Sequence, residues 1–203
     1  SCYVNDLENF FIRYSLWRRQ GRRWRRSYRC CCHGRGTNGC RAHRRDGRRV
    51  HGGGWRNGSK DGAGSRLEPL LRNGYAGASI GYRLSGEAIF PAAIADCKGA
   101  IRYLRANAEK LGVDPERIGV WGSSAGGHLV SLLGTSGGVD KWGEHRAHIK
   151  VSARVQAVCN WFGPSDFLRM NDFPGRIDHD SPRSPESLFI GGPIQRNKTK
   201  VAE

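Results

Sequence analysis

No stretch of this chain approaches the roughly 18 consecutive apolar residues that a membrane helix requires, and no leader-like pattern opens it. It starts at Ser1 rather than at Met, so it is expected to be a fragment. Methionine occurs once, and the first fifty residues contain no lysine at all. They hold fourteen Arg against three acids (Asp6, Glu8 and Asp46), a net +11, so the other 153 residues carry only +5 of the total +16. A charge of that size invites a nucleic-acid or acidic-membrane partner. Confined to one segment, it implies no such partner for the remainder of the chain. After about Trp17 the same segment also lacks any period-2 or period-3.6 apolar pattern, and no strand is read in it.

What residues 1–50 do contain is Arg, Cys, His, Gly and Trp. Five of the seven cysteines lie there. An Arg/Trp/Tyr-rich arm could bind nucleic acid through phosphate contacts and stacking. Cys30, His33, Cys40 and His43 offer four zinc ligands, although the six-residue gap between the pairs is short for a finger. Cys30, Cys31 and Cys32 could form disulfides. A further reading is GC-rich coding DNA translated out of frame. If the arginines of 44–50 (RRDGRRV) use CGN codons, a one-base shift permits Val-Val-Met-Val-Val-Val, a buried strand leading into His51. The expected organisation is therefore an Arg/Cys-rich segment over 1–50, disordered or out of frame, and one domain over 51–203.

From His51 onward the pattern is ordered. Ile118–Trp121 is short and apolar, as a buried strand would be. It stops at Gly122-Ser123-Ser124-Ala125-Gly126, which fits G-x-S-x-G, and a helix-like run over 127–133 follows at once. Strand, tight turn bearing Ser124, then helix is the context of a nucleophile elbow. Glycines at 122 and 126 allow strand and helix to approach, and the helix N-terminus faces developing negative charge. Some 70 residues earlier, His51-Gly52-Gly53-Gly54-Trp55 is a glycine run whose backbone N–H groups can converge on one point, as an oxyanion hole requires.

Between and beyond these motifs, helices and strands alternate. Residues 66–73 read as a helix stopped by Gly74, and 75–84 as a central strand. Pro91 opens a helix through Lys110 with Ile94, Cys97, Ile101 and Leu104 on one face, where Cys97 is a core residue rather than a reactive thiol. Gly112 ends it. Residues 155–162 read as another buried strand, closed by Gly163-Pro164. Residues 171–203 read as a surface excursion with one apolar element, Leu188-Phe189-Ile190. The alternation predicts an α/β fold with a parallel sheet.

HGGGW at 51–55, YRL at 82–84, the stretch from Phe90 to Gly138 and WFGPSDF at 161–167 together resemble the α/β-hydrolase esterases. The nearest likeness is to the bacterial esterase/lipase group that includes feruloyl and acetyl-xylan esterase-like proteins. The resemblance covers about 51–203. It implies an incomplete α/β-hydrolase fold, lacking first and last strands, and a carboxylic-ester hydrolase acting on a small-molecule ester without cofactor or metal. It makes Ser124 the nucleophile and gives the oxyanion hole to the N–H groups of Gly53, Gly54 and Ala125.

The family's triad Asp and His are expected in H-G-x-x-D and G-x-x-H-G segments, and neither occurs in this chain. His128 reads as a packing or capping residue. Asp166 stands after the next strand, where the family does not place its acid. Asp172, Asp178, His179 and Asp180 follow Ser124 in order but in a polar, surface-like stretch. This chain is thus expected to hydrolyse esters poorly by itself. A noncatalytic interaction module on the same fold, or nucleic-acid or zinc binding through 1–50, are the competing readings. Compartment and oligomeric state are not encoded in any recognisable pattern.

Overall fold

The computed structural model describes residues 7–13, 53–58, 64–139, 142, 148–173 and 175–202. Four strands form one sheet: Leu7–Arg13 (β1), Tyr75–Gly81 (β2), Ile118–Ser123 (β3) and Ala157–Trp161 (β4), in the order β2-β1-β3-β4. The helices are Gly64–Arg72 (α1), Ala92–Ala106 (α2), Ala108–Leu111 (α3), Ala125–Thr135 (α4), Pro185–Ile190 (α5) and Lys198–Val201 (α6). Packing α1 on β2, and α4 on both β3 and β4, gives the expected α/β layering. Among the described residues, no helix is long and apolar enough to cross a membrane.

Local sequence explains most of these elements. Alternation in β3 sends Ile118 and Val120 into the core, at 0% and 2% exposure, while the residues between them stay half-buried. Three- and four-residue spacing aligns Ile94, Cys97 and Ile101 on the face of α2 that packs towards α4, and none of the three retains exposed surface. Each such aliphatic side chain contributes about 1.5–3 kcal/mol by leaving water. Gly112, at φ +69°, provides the left-handed residue that closes α3.

Two polar ties fix α2 against its surroundings. The Arg83 guanidinium makes a two-pronged ion pair with Asp96, Nε to Oδ2 at 2.9 Å and Nη2 to Oδ1 at 2.9 Å, while the Arg83 N–H also donates to Oδ2. The hydrogen bond to Asp96 is the main reason the Arg83 pKa is raised. On the opposite side, buried Lys98 donates to the carbonyls of Ser136 and Val139, just past the end of α4, at 2.8 and 2.6 Å. A cation suits those carbonyls, which have no partner within the helix.

Two expectations are corrected here. Residues 1–50 do contain a strand: β1 lies between β2 and β3, antiparallel to both, with Phe10 opposite Ala78 and Val120. The run Phe10-Phe11-Ile12 is of strand length and apolar, but three residues do not announce a partner, and pairing decides. Because β1 is antiparallel to each neighbour, β2 and β3 run the same way, and β4 is parallel to β3, as expected. The sheet is therefore mixed and has four strands. Second, β4 is exposed along its whole length rather than buried. Among the described residues it is an edge strand, paired only with β3, and its apolar residues Val158 and Trp161 are 42% and 50% exposed. Residues 14–50, with Cys30, His33, Cys40 and His43, lie outside the described residues, as do His51 and Gly52.

Candidate active site

At the C-terminal end of β3 the chain turns through Ser124 straight into α4. Ser124 has φ +52° and ψ −122°, a conformation that L-residues rarely adopt and that costs on the order of 1–3 kcal/mol. The surroundings enforce it. A Cβ on Gly122 would lie 2.3 Å from the Gly126 carbonyl oxygen, so only glycine lets the strand pass so close to the helix. The Ser124 N–H donates to the Trp161 carbonyl at 2.9 Å, pinning the corner to the end of β4. A serine before a helix commonly caps it through its side chain. Ser124 does not, so its hydroxyl is not spent on the helix. Ala125, 1% exposed, opens α4 and carries one of the helix's unpaired N-terminal amides.

A second close approach joins α4 to the end of β4. A Cβ on Gly127 would lie 2.4 Å from Asn160 Oδ1 and 2.8 Å from Gly163 backbone atoms. Asn160 binds both sides, donating from Nδ2 to Ser131 Oγ at 2.9 Å and accepting the Gly163 N–H at 2.8 Å. Sequence reasoning marked Gly163 only as the end of a strand and did not point to Gly127 or Asn160. The Gly-Gly pair at 126–127 was the available signal.

The Gly53–Asn57 segment is a tight turn. Gly54 and Trp55 both have φ +59°, and the Arg56 N–H donates to the Gly53 carbonyl at 3.0 Å. A left-handed glycine is easy; a left-handed tryptophan is strained. Packing holds it there. Trp55 is 1% exposed and its carbonyl accepts the Ser85 N–H at 2.8 Å. Its ring stacks on Phe189 of α5 (4.9 Å between centroids) and meets His128 and Phe167 edge to face at 5.3 and 5.4 Å. Pro185, also on α5, stands where a Cβ on Gly54 would come within 2.8 Å of it.

The turn and the elbow are therefore brought together, with His128 as the link. This residue is one helical turn beyond Ser124, and its N–H donates to the Ser124 carbonyl at 3.0 Å. Its Nδ1 is closed off from solvent without a hydrogen-bond partner, and burial pushes its pKa down to about 4. The neutral imidazole packs its ring against Trp55, Phe167 and Phe189.

The acidic candidates have other occupations. Asp166 accepts the Leu168 N–H at 3.0 Å, capping the 3₁₀ turn Phe167–Asp172. Asp172 pairs with Arg169 at 2.8 Å. Asp178 accepts from Asn171 Nδ2, the main cause of its lowered pKa, and from the Asp180 N–H. Asp180 accepts from Gln195. His179 lies beside Glu186, which sequence reasoning passed over, with Nδ1 and Oε2 3.1 Å apart but not aligned as a hydrogen bond. Among the described residues, no hydrogen bond joins Ser124 Oγ to an imidazole, and no His/Cys/Asp/Glu group could hold a metal ion.

The family model described as BD-FAE matches residues 49–203. The probable carboxylic ester hydrolase LipM of Mycobacterium tuberculosis is 33% identical over 124 residues, 61% of this chain and 28% of LipM. Esterase LipC of the same organism is 34% identical over 160 residues, 72% of this chain and 39% of LipC. Among solved structures, a truncated form of a carbohydrate esterase from gut microbiota superposes with a TM-score of 0.62 at 33% identity, over 73% of this chain and 55% of that one. The chain thus spans between about a quarter and two fifths of the curated relatives' length. With the matched model covering most of the chain and both motifs inside it, the chain belongs to the BD-FAE family of α/β-hydrolase esterases.

Proposed function

We propose that this chain carries the nucleophile and oxyanion-binding part of a serine carboxylic-ester hydrolase. The observation that carries the reading is the backbone of Ser124: a strained corner between β3 and α4 whose hydroxyl does not cap the helix. In this reaction Ser124 Oγ attacks the ester carbonyl carbon. Negative charge collects on the carbonyl oxygen, facing the amides of Gly53, Gly54 and Ala125, and collapse expels the alcohol to leave an acyl-serine. Water then attacks the acyl carbon, releasing the carboxylic acid and returning the serine. The substrate is a small-molecule ester, and neither cofactor nor metal takes part.

No residue of this chain is assigned as the base or the acid. In a serine hydrolase, losing both leaves only oxyanion and binding effects, a drop on the order of 10⁶ in kcat. Release of p-nitrophenol from p-nitrophenyl acetate tests both parts of the proposal. Weak hydrolysis that disappears in Ser124→Ala is expected. Equal rates for the two proteins would overturn the nucleophile assignment, and vigorous Ser124-dependent turnover would overturn the claim that base and acid are lacking.

A further inference from the structure

Four rings from four different elements meet behind the Gly53–Asn57 turn: Trp55 on the turn, His128 on α4, Phe167 after β4, and Phe189 on α5. All six pairs are in contact. Besides the three made by Trp55, His128 stacks on Phe167 at 4.8 Å and 26°, meets Phe189 edge to face at 5.4 Å, and Phe167 meets Phe189 at 6.3 Å. His128 is the member that belongs to the helix of the nucleophile. Four residues of α-helix, closed by the hydrogen bond from its N–H to the Ser124 carbonyl, fix its position relative to Ser124. Trp55 is held at a positive φ that its own backbone disfavours, and among the described residues its ring contact with α4 is with His128.

We propose that His128 is the positioning residue of the oxyanion turn: as a packed ring against Trp55, it sets where the Gly53 and Gly54 amides stand relative to Ser124. The role is steric. A ring at position 128 keeps Trp55 from relaxing towards negative φ, and a methyl group leaves it room to do so. The esterase reading supplies the purpose of the turn but not its geometry, so the two can fail separately.

Hydrogen exchange on the 203-residue chain tests the geometry without any need for activity. The Arg56 and Asn57 amides, both bonded to the Gly53 carbonyl at 3.0 and 3.3 Å, report the turn. In His128→Ala these amides should exchange at least about tenfold faster while those of α2 and β3 keep their rates, and His128→Phe should restore protection of the turn. Unchanged turn amides in His128→Ala, uniform acceleration of every segment, or a failure of Phe to restore protection in a folded variant would each overturn the proposal. The kinetic arm uses p-nitrophenyl acetate. A displaced turn should lower the Ser124-dependent kcat by about 10²-fold with KM within about twofold, and Phe should return most of it. Were the unaltered chain to show no Ser124-dependent hydrolysis, the esterase reading would fall while exchange still decided the role of His128.

Discussion

β3 and β4 lie side by side, are six and five residues long, and are both built mainly from small and apolar residues, yet half of β3 is buried and all of β4 is exposed. Composition does not separate them; neighbours do. α4 packs on both, but β3 has β1 on one edge and β4 on the other, whereas among the described residues β4 has a strand on one edge only. The contrast extends to function, because the strained corner at Ser124 sits at the end of the buried strand. Strain of 1–3 kcal/mol survives only where surrounding structure over-determines it, and β3 has that support. β4 contributes hydrogen bonds, through the Trp161 carbonyl and the Asn160 side-chain amide.

The largest effect that would sharpen the comparison is expected from Gly122→Ala. Its Cβ meets backbone, which cannot swing aside, so the cost should be about 3 kcal/mol or more, a fall in Tm of about 6–12 °C. A thermal melt matching that of the unaltered chain would break the account of the elbow.

Acid comes next. His128 has a folded pKa of about 4 against an ordinary value near 6.5. The unfolded chain therefore binds this proton first as pH falls. The contribution of the neutral imidazole is complete above about pH 6.5 and is withdrawn down to about pH 4, by up to about 3 kcal/mol. Urea unfolding at a series of pH values should show this loss, and His128→Phe should remove it.

Asp96→Ala strips Arg83 of its two-pronged partner and of the carboxylate on its N–H. About 1.5–2 kcal/mol is expected, since the guanidinium is half exposed and partly served by water. A denaturation midpoint shifted by less than a quarter of that would leave the tie between the YRL stretch and α2 without a role.

The smallest effect belongs to the exposed strand. Val158→Thr should change stability by less than about 0.5 kcal/mol and yet slow aggregation, because an unpaired apolar edge is a template for another chain. Light scattering at equal protein concentration follows that rate. A loss of several degrees in Tm would mean that the packing of Val158 beside Gly134 of α4 carries more of the fold than its 42% exposure implies.

Much of the site was legible in the sequence because its signals are short and local. G-x-S-x-G between an apolar strand and a helix, and three glycines before Trp55, specify conformations that few other residues permit. The core face of α2 followed from spacing alone, down to Cys97. What escaped was decided at long range. The β1 run gives no hint that it pairs with residues some 70 and 110 positions away. The aromatic cluster draws one ring each from positions 55, 128, 167 and 189, and no local period connects them. Glu186 is seven residues beyond His179 and closes on it only because α5 folds back, while the nearer aspartates are taken by their own turns. Apolarity in β4 was read correctly, but burial depends on what lies alongside.

The most direct test of the central claim is chemical labelling of serine by an activated acetyl ester, followed by mass spectrometry of the digested protein. If Ser124 stands on the corner with the turn amides opposite, it should be acetylated first, at about 10³ times the rate of an exposed serine even with no base assigned in the chain. Acetyl groups spread over the serines without preference for position 124 would contradict the account.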